Sequence, residues 1–379
     1  MESFPKRRSR KYSRMNIPQA KRLWMITDTH LGVRNSSEEW IQIMRKYFFE
    51  FFIPLVKKEY KPGDVLIHLG DVYDSRQSIN LKVLNLCVEL FGELSKIFKD
   101  GVYVIVGNHD IYAKESNEIN SLASLKWIPN INIFEDPLTI NFGKRSAFMM
   151  PWRANEEVAV ELLAGTKPHD YLFCHSDIRG MSFNKFTKIE DGIGYNKLDN
   201  FGRVYSGHIH YSQNFGKVRM LGSPYQLTRS DMDNRKAILL LDLETEEEVL
   251  FENNFSPKFI KIGFDQVLEK TPIELEDLFR NNFVDVLIDP KIAVKASLGI
   301  LTEMVATQLK TTFTPIKDIT QTDQNLEDAL FSLDGKSFSI VDFADEYINS
   351  LNESDEVKEK MKKTIRILYK RTTDKEAES

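Results

Sequence analysis

The sequence predicts a layered α/β fold in which two β-sheets pack face to face and helices flank them. From Leu23 onward, short apolar runs alternate with longer segments of helical periodicity, which is typical of strands alternating with helices. From Ile131 onward, strand-like runs crowd together with few helical segments between them. This crowding favours a sheet-on-sheet core over a single doubly wound sheet.

Composition narrows the class of protein. The 379 residues allow two or three domains of roughly 100 to 200 residues each. Hydrophobic residues make up 42% and charged residues 28% of the chain, as in soluble globular proteins. No apolar run reaches the roughly 20 residues of a membrane-spanning helix. Cys87 and Cys174 lie in apolar segments, so we expect reduced thiols in a cytosol and no disulfide framework.

Residues 1–22 form a basic arm. They contain eight Lys or Arg and one Glu, which gives the arm a charge of +7 and the remainder −12. Without hydrophobic periodicity, the arm is predicted to be disordered. A solvated or vector-derived extension, a phosphate-binding arm and an organelle transit segment all fit it, whereas a secretory signal would need an apolar core after the charges. The acidic remainder indicates that any nucleic-acid contact is a local patch.

The first elements follow from periodicity. Leu23–Thr27 is a predicted strand, and a helix follows over 36–60, with Ser36 and Glu39 as a capping box and apolar residues at three- and four-residue spacing. Pro54 should kink or end that helix. The next predicted elements are a helix over 81–98 and strands over 64–69, 102–106, 131–134, 138–142, 147–150, 171–174, 204–206, 218–221 and 237–243.

A domain boundary is predicted near residue 256, inside an acidic and then Asn-, Ser- and Pro-rich segment. It separates a main domain over 23–255 from a small α+β unit over 256–338. In the smaller unit we predict strands over 258–264, 283–289 and 311–316, a helix from Pro272 and a helix over 294–309.

Residues 339–379 are predicted to form two short amphipathic helices joined by a turn at the sequence NESD. The apolar stripe of the first consists of Phe343, Tyr347, Ile348 and Leu351, and that of the second of Val357, Met361, Ile365 and Leu368.

Five predicted strands end in polar residues of the same few types. These residues are Asp28 and His30, Asp71, Asn108 and His109, His175, and His208 and His210. Ligands bind beyond the carboxyl ends of strands in α/β sheets, so these side chains should converge. Residues two apart on extended backbone share a face, which suits Asp28 with His30. Adjacent residues point apart, so one of Asn108 and His109 should face metals and the other a substrate.

Such a set suits a pair of metal ions. Leaving His109 aside, the seven oxygen and nitrogen donors are too many for one ion and fit two if a carboxylate bridges. Imidazole and carboxylate without thiolate suit manganese, iron or zinc. Two such ions about 3.5 to 4 Å apart lower the pKa of a shared water toward roughly 7 and clamp a phosphoryl group, which predicts phosphoester hydrolysis. Each motif alone is weak evidence, but five of the seven histidines fall in the ordered set.

The ordered motifs resemble those of the calcineurin-like metallophosphoesterases over roughly residues 23–250. The stretches TDTHLG, GDVYDSR, VGNHD, SGHIH and LGSPYQLTRSD are most similar to the SbcD-type double-strand-break repair nucleases, including versions carried by large phages. The resemblance implies a two-sheet metallophosphoesterase β-sandwich flanked by helices, a small α+β capping domain over 256–338, and a C-terminal helical pair over 339–379.

The resemblance also implies a role for each site residue. One metal ion is bound by Asp28, His30, Asp71 and His210, and the other by Asp71, Asn108, His175 and His208, so that Asp71 bridges them. Manganese is the expected metal. His109 corresponds to the family's phosphate-facing histidine, and acid-base help of that kind contributes about 10² to 10⁴ in rate. Some members carry a second catalytic histidine where this sequence has Asp74.

The implied activity is that of a DNA nuclease in repair, recombination or replication, acting 3′ to 5′ on double-stranded ends and cutting single strands internally. Implied partners are DNA and an SbcC-like coiled-coil ABC ATPase gripped by residues 339–379, with a homodimer inside a heterotetramer. The location is cytoplasmic, in the host if a phage encodes the chain. The alternatives are a stand-alone phosphodiesterase or phosphatase, a non-cutting DNA-end tethering subunit, and C-terminal helices that pack on their own domain.

The predicted DNA contacts lie in loops around the metals. Segment 177–188 mixes basic residues with two phenylalanines, consistent with phosphate pairing and base stacking, although a mobile surface loop is the alternative. The candidates are Arg179 and Lys185, with Arg76, Tyr225 and Arg229 as further ones.

Overall fold

The computed structural model describes residues 12–113, 116–263, 266–267, 269–288, 311–315, 358–359 and 362. The chain divides into two compact units, Met1–Pro315 and Ile316–Ser379. Of the second unit, only residues 358–359 and 362 are described, and they are helical. The elements given below therefore belong to the first unit.

Strands dominate the described part of the chain. They are β1 Ser13–Ile17, β2 Arg22–Ile26, β3 Asp64–His68, β4 Val102–Ile105, β5 Ile111–Ala113, β6 Ser116–Asn120, β7 Ile131–Phe134, β8 Leu138–Phe142, β9 Arg145–Met150, β10 His169–His175, β11 Phe201–Gly207, β12 Gln213–Phe215, β13 Val218–Met220, β14 Ala237–Asp242, β15 Glu248–Glu252, β16 Phe259–Gly263, β17 Phe283–Ile288 and β18 Thr311–Pro315. The longer helices are α1 Glu38–Lys46, α2 Ile53–Glu59, α3 Leu81–Ile97, α4 Glu156–Ala164 and α5 Pro272–Arg280.

Two large sheets form the centre of the molecule. One has six strands in the order β15-β14-β2-β3-β4-β7, and the other has seven in the order β1-β8-β9-β10-β11-β13-β12. Their inner faces share one apolar core, to which the first sheet contributes Met25 and Ile67 and the second contributes Phe142 and Phe173, all buried. The predicted sheet-on-sheet α/β fold is confirmed.

Helices cover the outer faces of both sheets. On the six-stranded sheet, Trp24 and Leu66 pack in one cluster with Phe48 and with Leu90 of α3. On the seven-stranded sheet, Phe148 packs in a cluster with residues of α4. The order of layers is therefore helix, sheet, sheet, helix, and alternate residues of the central strands are buried on opposite faces.

The helix predicted over 36–60 is interrupted where Pro54 disturbs it. Ser37, and not Ser36, caps α1 by accepting a hydrogen bond from the Trp40 amide at 3.4 Å. A π-helical turn, Tyr47–Phe52, then leads into α2. Because proline has no amide hydrogen, it cannot donate to the preceding turn, and the wider turn lies just before Pro54.

The disordered arm predicted over 1–22 is wrong for residues 12–22. Strand β1 pairs in parallel with β8, from Ser13 opposite Leu138 to Ile17 opposite Phe142. The Arg22 guanidinium donates to the Asp64 carboxylate at 2.7 and 2.6 Å. Pairing to a neighbouring strand requires backbone groups more than apolar side chains, so the basic composition concealed an edge strand. Residues 1–11 lie outside the described part.

The part of the first unit after residue 256 contains a three-stranded parallel sheet, β16-β17-β18, with α5 between its first two strands in the chain, and the domain boundary near residue 256 stays a prediction. Thr271 and Glu274 form a capping box at the start of α5, next to the proline that opens it. The helix predicted over 294–309 lies outside the described residues, as does nearly all of the predicted pair over 339–379.

Candidate metal centre

The predicted ligands meet at the ends of strands from both sheets. In the six-stranded sheet, the loop after β2 carries Asp28 and His30, the loop after β3 carries Asp71 and the loop after β4 carries Asn108. In the seven-stranded sheet, His175 ends β10, and His208 and His210 follow β11. The site lies where the two sheets meet, so it required the sheet-on-sheet packing described above.

The backbone at the ligands is not extended, contrary to the expectation from residue spacing. Asp28, His30, Asp71 and His208 have φ angles of 50°, 42°, 55° and 82°. Such left-handed conformations are costly for residues other than glycine, and they concentrate at functional sites where the surroundings enforce them. The side chains share a face because the loops bend sharply, and not because alternate residues of a strand point the same way.

The first group of donors surrounds His30. Ligand atoms of Asp28, His30 and His210 all lie within 4.8 Å of one another. The Nε2 atoms of His30 and His210 are 3.0 Å apart. Asp28 and His30 are buried and His210 is half-buried, so a cation between them would replace water as their partner.

The second group surrounds Asn108. Its Oδ1 lies 2.9 Å from His175 Nε2 and 2.7 Å from His208 Nδ1. Asp71 stands between the groups, because its Oδ2 is 3.6 Å from His30 Nε2 and 3.2 Å from His175 Nε2. This is the arrangement that a bridging carboxylate requires, and the donor set fits two divalent ions.

Three of the imidazoles are held at the ring nitrogen that faces away from the cluster. His30 Nδ1 lies 3.1 Å from Asp74 Oδ1, His175 Nδ1 lies 2.6 Å from the Leu69 carbonyl, and His208 Nε2 lies 3.2 Å from Asp177 Oδ2. An acceptor at the outer nitrogen fixes the neutral tautomer and turns the inner lone pair toward a metal. Sequence reasoning did not identify Asp177, and it gave Asp74 no such contact.

The carboxylates create a field that attracts positive charge. Burial alone lowers the pKa of His175, but the charge and hydrogen bond of Asp71 raise it to about 9. Burial likewise lowers the pKa of His30, and the hydrogen bond to Asp74 with the charges of Asp71 and Asp28 raises it to about 8. The same negative field would favour bound divalent cations.

Asp110 organises the loop that carries the bridging carboxylate. Its Oδ2 accepts hydrogen bonds from the amides of Asp71 and Gly107, both at 2.9 Å. Its Oδ1 accepts from Val72 at 3.0 Å and Tyr73 at 3.2 Å. Burial raises the pKa of Asp110 to about 6, and its hydrogen bonds from Gly107 and Tyr73 oppose the rise. Four backbone donors on one buried side chain fix the turn after β3.

Gly107 is required by a close approach and not by an unusual φ. A Cβ atom at this position would lie 2.2 Å from Asp71 Oδ1. Any other residue would therefore displace the carboxylate that lies between the two groups of donors.

His109 lies beside the first group. Its ring is 4.7 Å from that of His30, its backbone amide donates to Asp71 Oδ1 at 2.7 Å, and its Nδ1 lies 2.7 Å from the Asp74 carbonyl. Because a carbonyl only accepts, Nδ1 carries the hydrogen there and Nε2 remains for a substrate. Burial lowers the pKa of His109, while the Asp71 charge opposes this.

One of the predicted DNA contacts is wrong. Tyr225 is 1% exposed, and its hydroxyl donates to the Thr29 carbonyl, so it belongs to the core. Arg229 forms a two-pronged ion pair with Asp285 at 2.6 and 2.9 Å, but its side chain is 43% exposed and its contact with DNA stays a prediction. Both residues belong to the motif LGSPYQLTRSD, and the position of a motif along the chain does not show where its side chains point.

The other predicted DNA contacts lie at the surface. Arg179 and Lys185 have side chains 54% and 58% exposed, and each has a solvent-exposed acidic partner, Glu156 and Asp233. Arg76 is half-buried in the loop after β3.

The fold and the site define a metal-dependent phosphoesterase with two groups of metal donors. The chain belongs to the calcineurin-like phosphoesterase family, which it matches over residues 21–214, just over half of its length. This family uses two metal ions. The predictions of a metal-dependent phosphodiesterase and of a calcineurin-like metallophosphoesterase are confirmed. Within the described residues, every helix is too short or too polar to cross a membrane.

The chain is also similar to individual proteins. It is 27% identical over 324 residues to exonuclease subunit 1 of Enterobacteria phage T4, covering 78% of this chain and 93% of that protein. An archaeal phosphodiesterase of known structure has 14% identity, 61% coverage of this chain, 99% coverage of its own and a TM-score of 0.33. A protein of unknown function from Aquifex aeolicus has 19% identity, 48% and 93% coverage, and a TM-score of 0.25.

Proposed function

We propose that the chain is a two-metal DNA nuclease that hydrolyses phosphodiester bonds at DNA ends and in single strands. The position of the Asp71 carboxylate between two groups of donors, with His109 beside it, is the observation that supports this most directly. The similarity to the phage T4 exonuclease subunit extends over most of both chains and favours a nucleic acid over other phosphoesters.

In this proposal Asp28, His30 and His210 hold one ion, and Asn108, His175 and His208 hold the other, with Asp71 shared between them. When bound, two divalent ions would supply a nucleophilic hydroxide at neutral pH and neutralise charge on the phosphoryl oxygens. The donors, oxygen and imidazole nitrogen without thiolate, suit manganese, iron or zinc. Manganese is the proposed metal because of the resemblance to the SbcD-type nucleases.

His109 is the proposed catalytic residue. Its Nδ1 hydrogen is engaged by the Asp74 carbonyl, which orients Nε2 for the substrate. In hydrolysis, water adds to phosphorus, the bond from phosphorus to the leaving oxygen breaks, and that oxygen takes a proton. Protonated His109 would donate that proton from Nε2, or stabilise the charge developing on the phosphoryl group.

The segment from Ile178 to Ile193 is proposed to guide the DNA strand. It folds back on itself, with the Phe183 amide bonded to the Thr187 carbonyl at 2.8 Å. At its tip, Phe183 and Phe186 are 57% and 65% exposed beside the exposed Lys185. Aromatic faces stack on bases and lysines pair with phosphates, so this tip suits unpaired nucleotides.

Several finer features also remain proposals. Residues 256–338 would act as a capping domain over the substrate, and residues 339–379 would bind the coiled coil of an SbcC-like ATPase. The 3′ to 5′ polarity, the homodimer within a heterotetramer and the cytoplasmic location come with the same resemblance. The phage T4 relative is named as a subunit, which favours a partner protein.

A labelled linear duplex tests the nuclease. We expect cutting with Mn²⁺, none with EDTA, and a loss of about 10² to 10⁴ in rate for His109→Ala with DNA binding retained. His169→Ala is the matched control, because His169 begins the strand that His175 ends. Equal rates for His109→Ala and wild type would overturn the role of His109. Hydrolysis of nitrophenyl phosphates alone would favour the alternative of a small-molecule phosphoesterase. DNA binding without any hydrolysis would favour the alternative of a DNA-end tethering subunit.

A further inference from the structure

The segment from Ser223 to Lys236, here called the brace, contacts the backbone of the loops that carry the metal ligands. Its first contact is the hydroxyl of Tyr225, which donates to the carbonyl of Thr29. Thr29 stands between the ligands Asp28 and His30, in a turn where both have positive φ. A hydrogen bond at that carbonyl therefore fixes the peptide planes from which both side chains project.

The second contact is made by a buried lysine. Lys236 is 5% exposed, and its Nζ donates to the His210 carbonyl at 2.7 Å, to Ser223 Oγ at 3.0 Å and to Asp231 Oδ1 at 2.6 Å. An ammonium group has three hydrogens, and all three are used. The contact to His210 holds the backbone of the ligand that opposes His30.

Asp231 makes this buried charge tolerable. Its Oδ2 accepts hydrogen bonds from the amides of Leu227 and Thr228, both at 3.0 Å, while Oδ1 faces Lys236. A buried ion pair of this kind contributes little net stability compared with apolar residues. The position of this ion pair next to the loop that carries His210 is therefore better explained by the loop geometry that it imposes than by stability.

The brace is also anchored on its far side. Arg229 pairs with Asp285 of β17, and the Gln226 side-chain oxygen accepts a hydrogen bond from the Phe259 amide at 2.6 Å. The same short segment thus contacts the first group of metal donors and the small three-stranded sheet.

We infer that Tyr225 and Lys236 are positioning residues of the metal centre, which set the directions of His30 and His210 through the backbone carbonyls that they bind. The inference rests on the proposed metal centre. It gives Tyr225 of the motif LGSPYQLTRSD a role in metal geometry, in place of the DNA contact expected of that residue from sequence.

A pair of tyrosine variants provides a matched test. Tyr225→Phe removes only the hydroxyl that binds Thr29. Tyr47→Phe removes a hydroxyl in the same aromatic cluster, with ring centroids 4.9 Å apart, and that hydroxyl has no hydrogen-bond partner among the described residues. Mn²⁺ affinity and stoichiometry are measured by titration calorimetry on the full chain, and thermal unfolding is measured in EDTA.

For Tyr225→Phe we expect Mn²⁺ affinity at one of two sites to fall about 10-fold. Tyr47→Phe should bind as wild type does. If both variants bind Mn²⁺ as wild type does, the positioning role of Tyr225 is wrong. The proposed nuclease function is then unaffected. If wild type binds no Mn²⁺, the metal centre itself is wrong and the inference falls with it.

A second variant guards against misfolding. Lys236→Met combined with Asp231→Asn removes both buried charges, so neither is left unpaired. If the double variant unfolds in EDTA at the same temperature as wild type but binds Mn²⁺ more weakly at one site, the positioning role is supported. Unchanged affinity in this folded variant would overturn it for Lys236.

Discussion

The two halves of the metal centre are supported in different ways. Behind His30 and His210 lies the buried brace, with Tyr225 and Lys236 hydrogen-bonded to the ligand loops. The outer nitrogen of His208 contacts Asp177, which is partly exposed and directly precedes the surface segment that carries Phe183 and Phe186. His210 and the turn that carries His30 are held by the protein interior, as is His175 of the second half, whereas His208 is held next to the surface that is proposed to meet DNA.

This difference suggests a division of labour. Buried contacts restrict a ligand to one geometry, because the surrounding atoms are closely packed and few alternatives exist. A ligand held by a surface segment can respond when a substrate contacts that segment. Asp71 is shared by both halves, and Asp110 accepts a hydrogen bond from its amide. Asp71 therefore fixes the position of one group of donors relative to the other.

The largest effect is expected where both halves depend on one residue. Asp110→Asn places an amide group where two backbone amides need an acceptor, which should lower the free energy of unfolding by about 3 kcal/mol and weaken both Mn²⁺ sites together. Urea denaturation and titration calorimetry measure this. Asp136→Asn, at a surface ion pair, should change little. Unfolding of Asp110→Asn at the wild-type urea concentration would contradict the role of the four amide hydrogen bonds.

An intermediate effect should separate the halves. Asp177→Ala removes the partner of His208, and Asp74→Ala removes the side-chain partner of His30. Each should weaken one Mn²⁺ site about 10-fold and leave the other unchanged. Asp177→Asn keeps an acceptor and should restore part of the affinity. The comparison fails if each alanine variant weakens both sites equally.

The smallest effect concerns the surface of the second half. Lys185→Gln removes one charge at the tip of the 178–193 segment, so the slope of log K against log salt for single-stranded DNA should shrink by about 1. Fluorescence anisotropy at several salt concentrations measures it. Lys57→Gln, on α2 with a side chain 55% exposed, is the control. Identical slopes for wild type and Lys185→Gln would remove Lys185 from the proposed DNA path.

The sequence predicted the fold class and the composition of the site because both depend on local patterns. Strands such as β3 and β4 are short apolar runs followed by Gly-Asp and Gly-Asn-His-Asp. These motifs can be identified whatever the order of the strands in the sheet. The prediction failed for β1, since its pairing with β8 is a backbone contact that leaves no apolar signature. It also failed for Tyr225, whose side chain is buried in the protein.

The sequence alone determined which donor types this protein has and that they follow strand ends, because residue identity and hydrophobic period are local properties. Only the tertiary structure decided how they meet. Two sheets had to pack before donors from both could come within 4.8 Å of one another. The hydrogen bonds from the amides of residues 71–73 to Asp110 and from Lys236 to the His210 carbonyl are long-range contacts. No local pattern specifies such contacts, because their partners lie far apart in the chain.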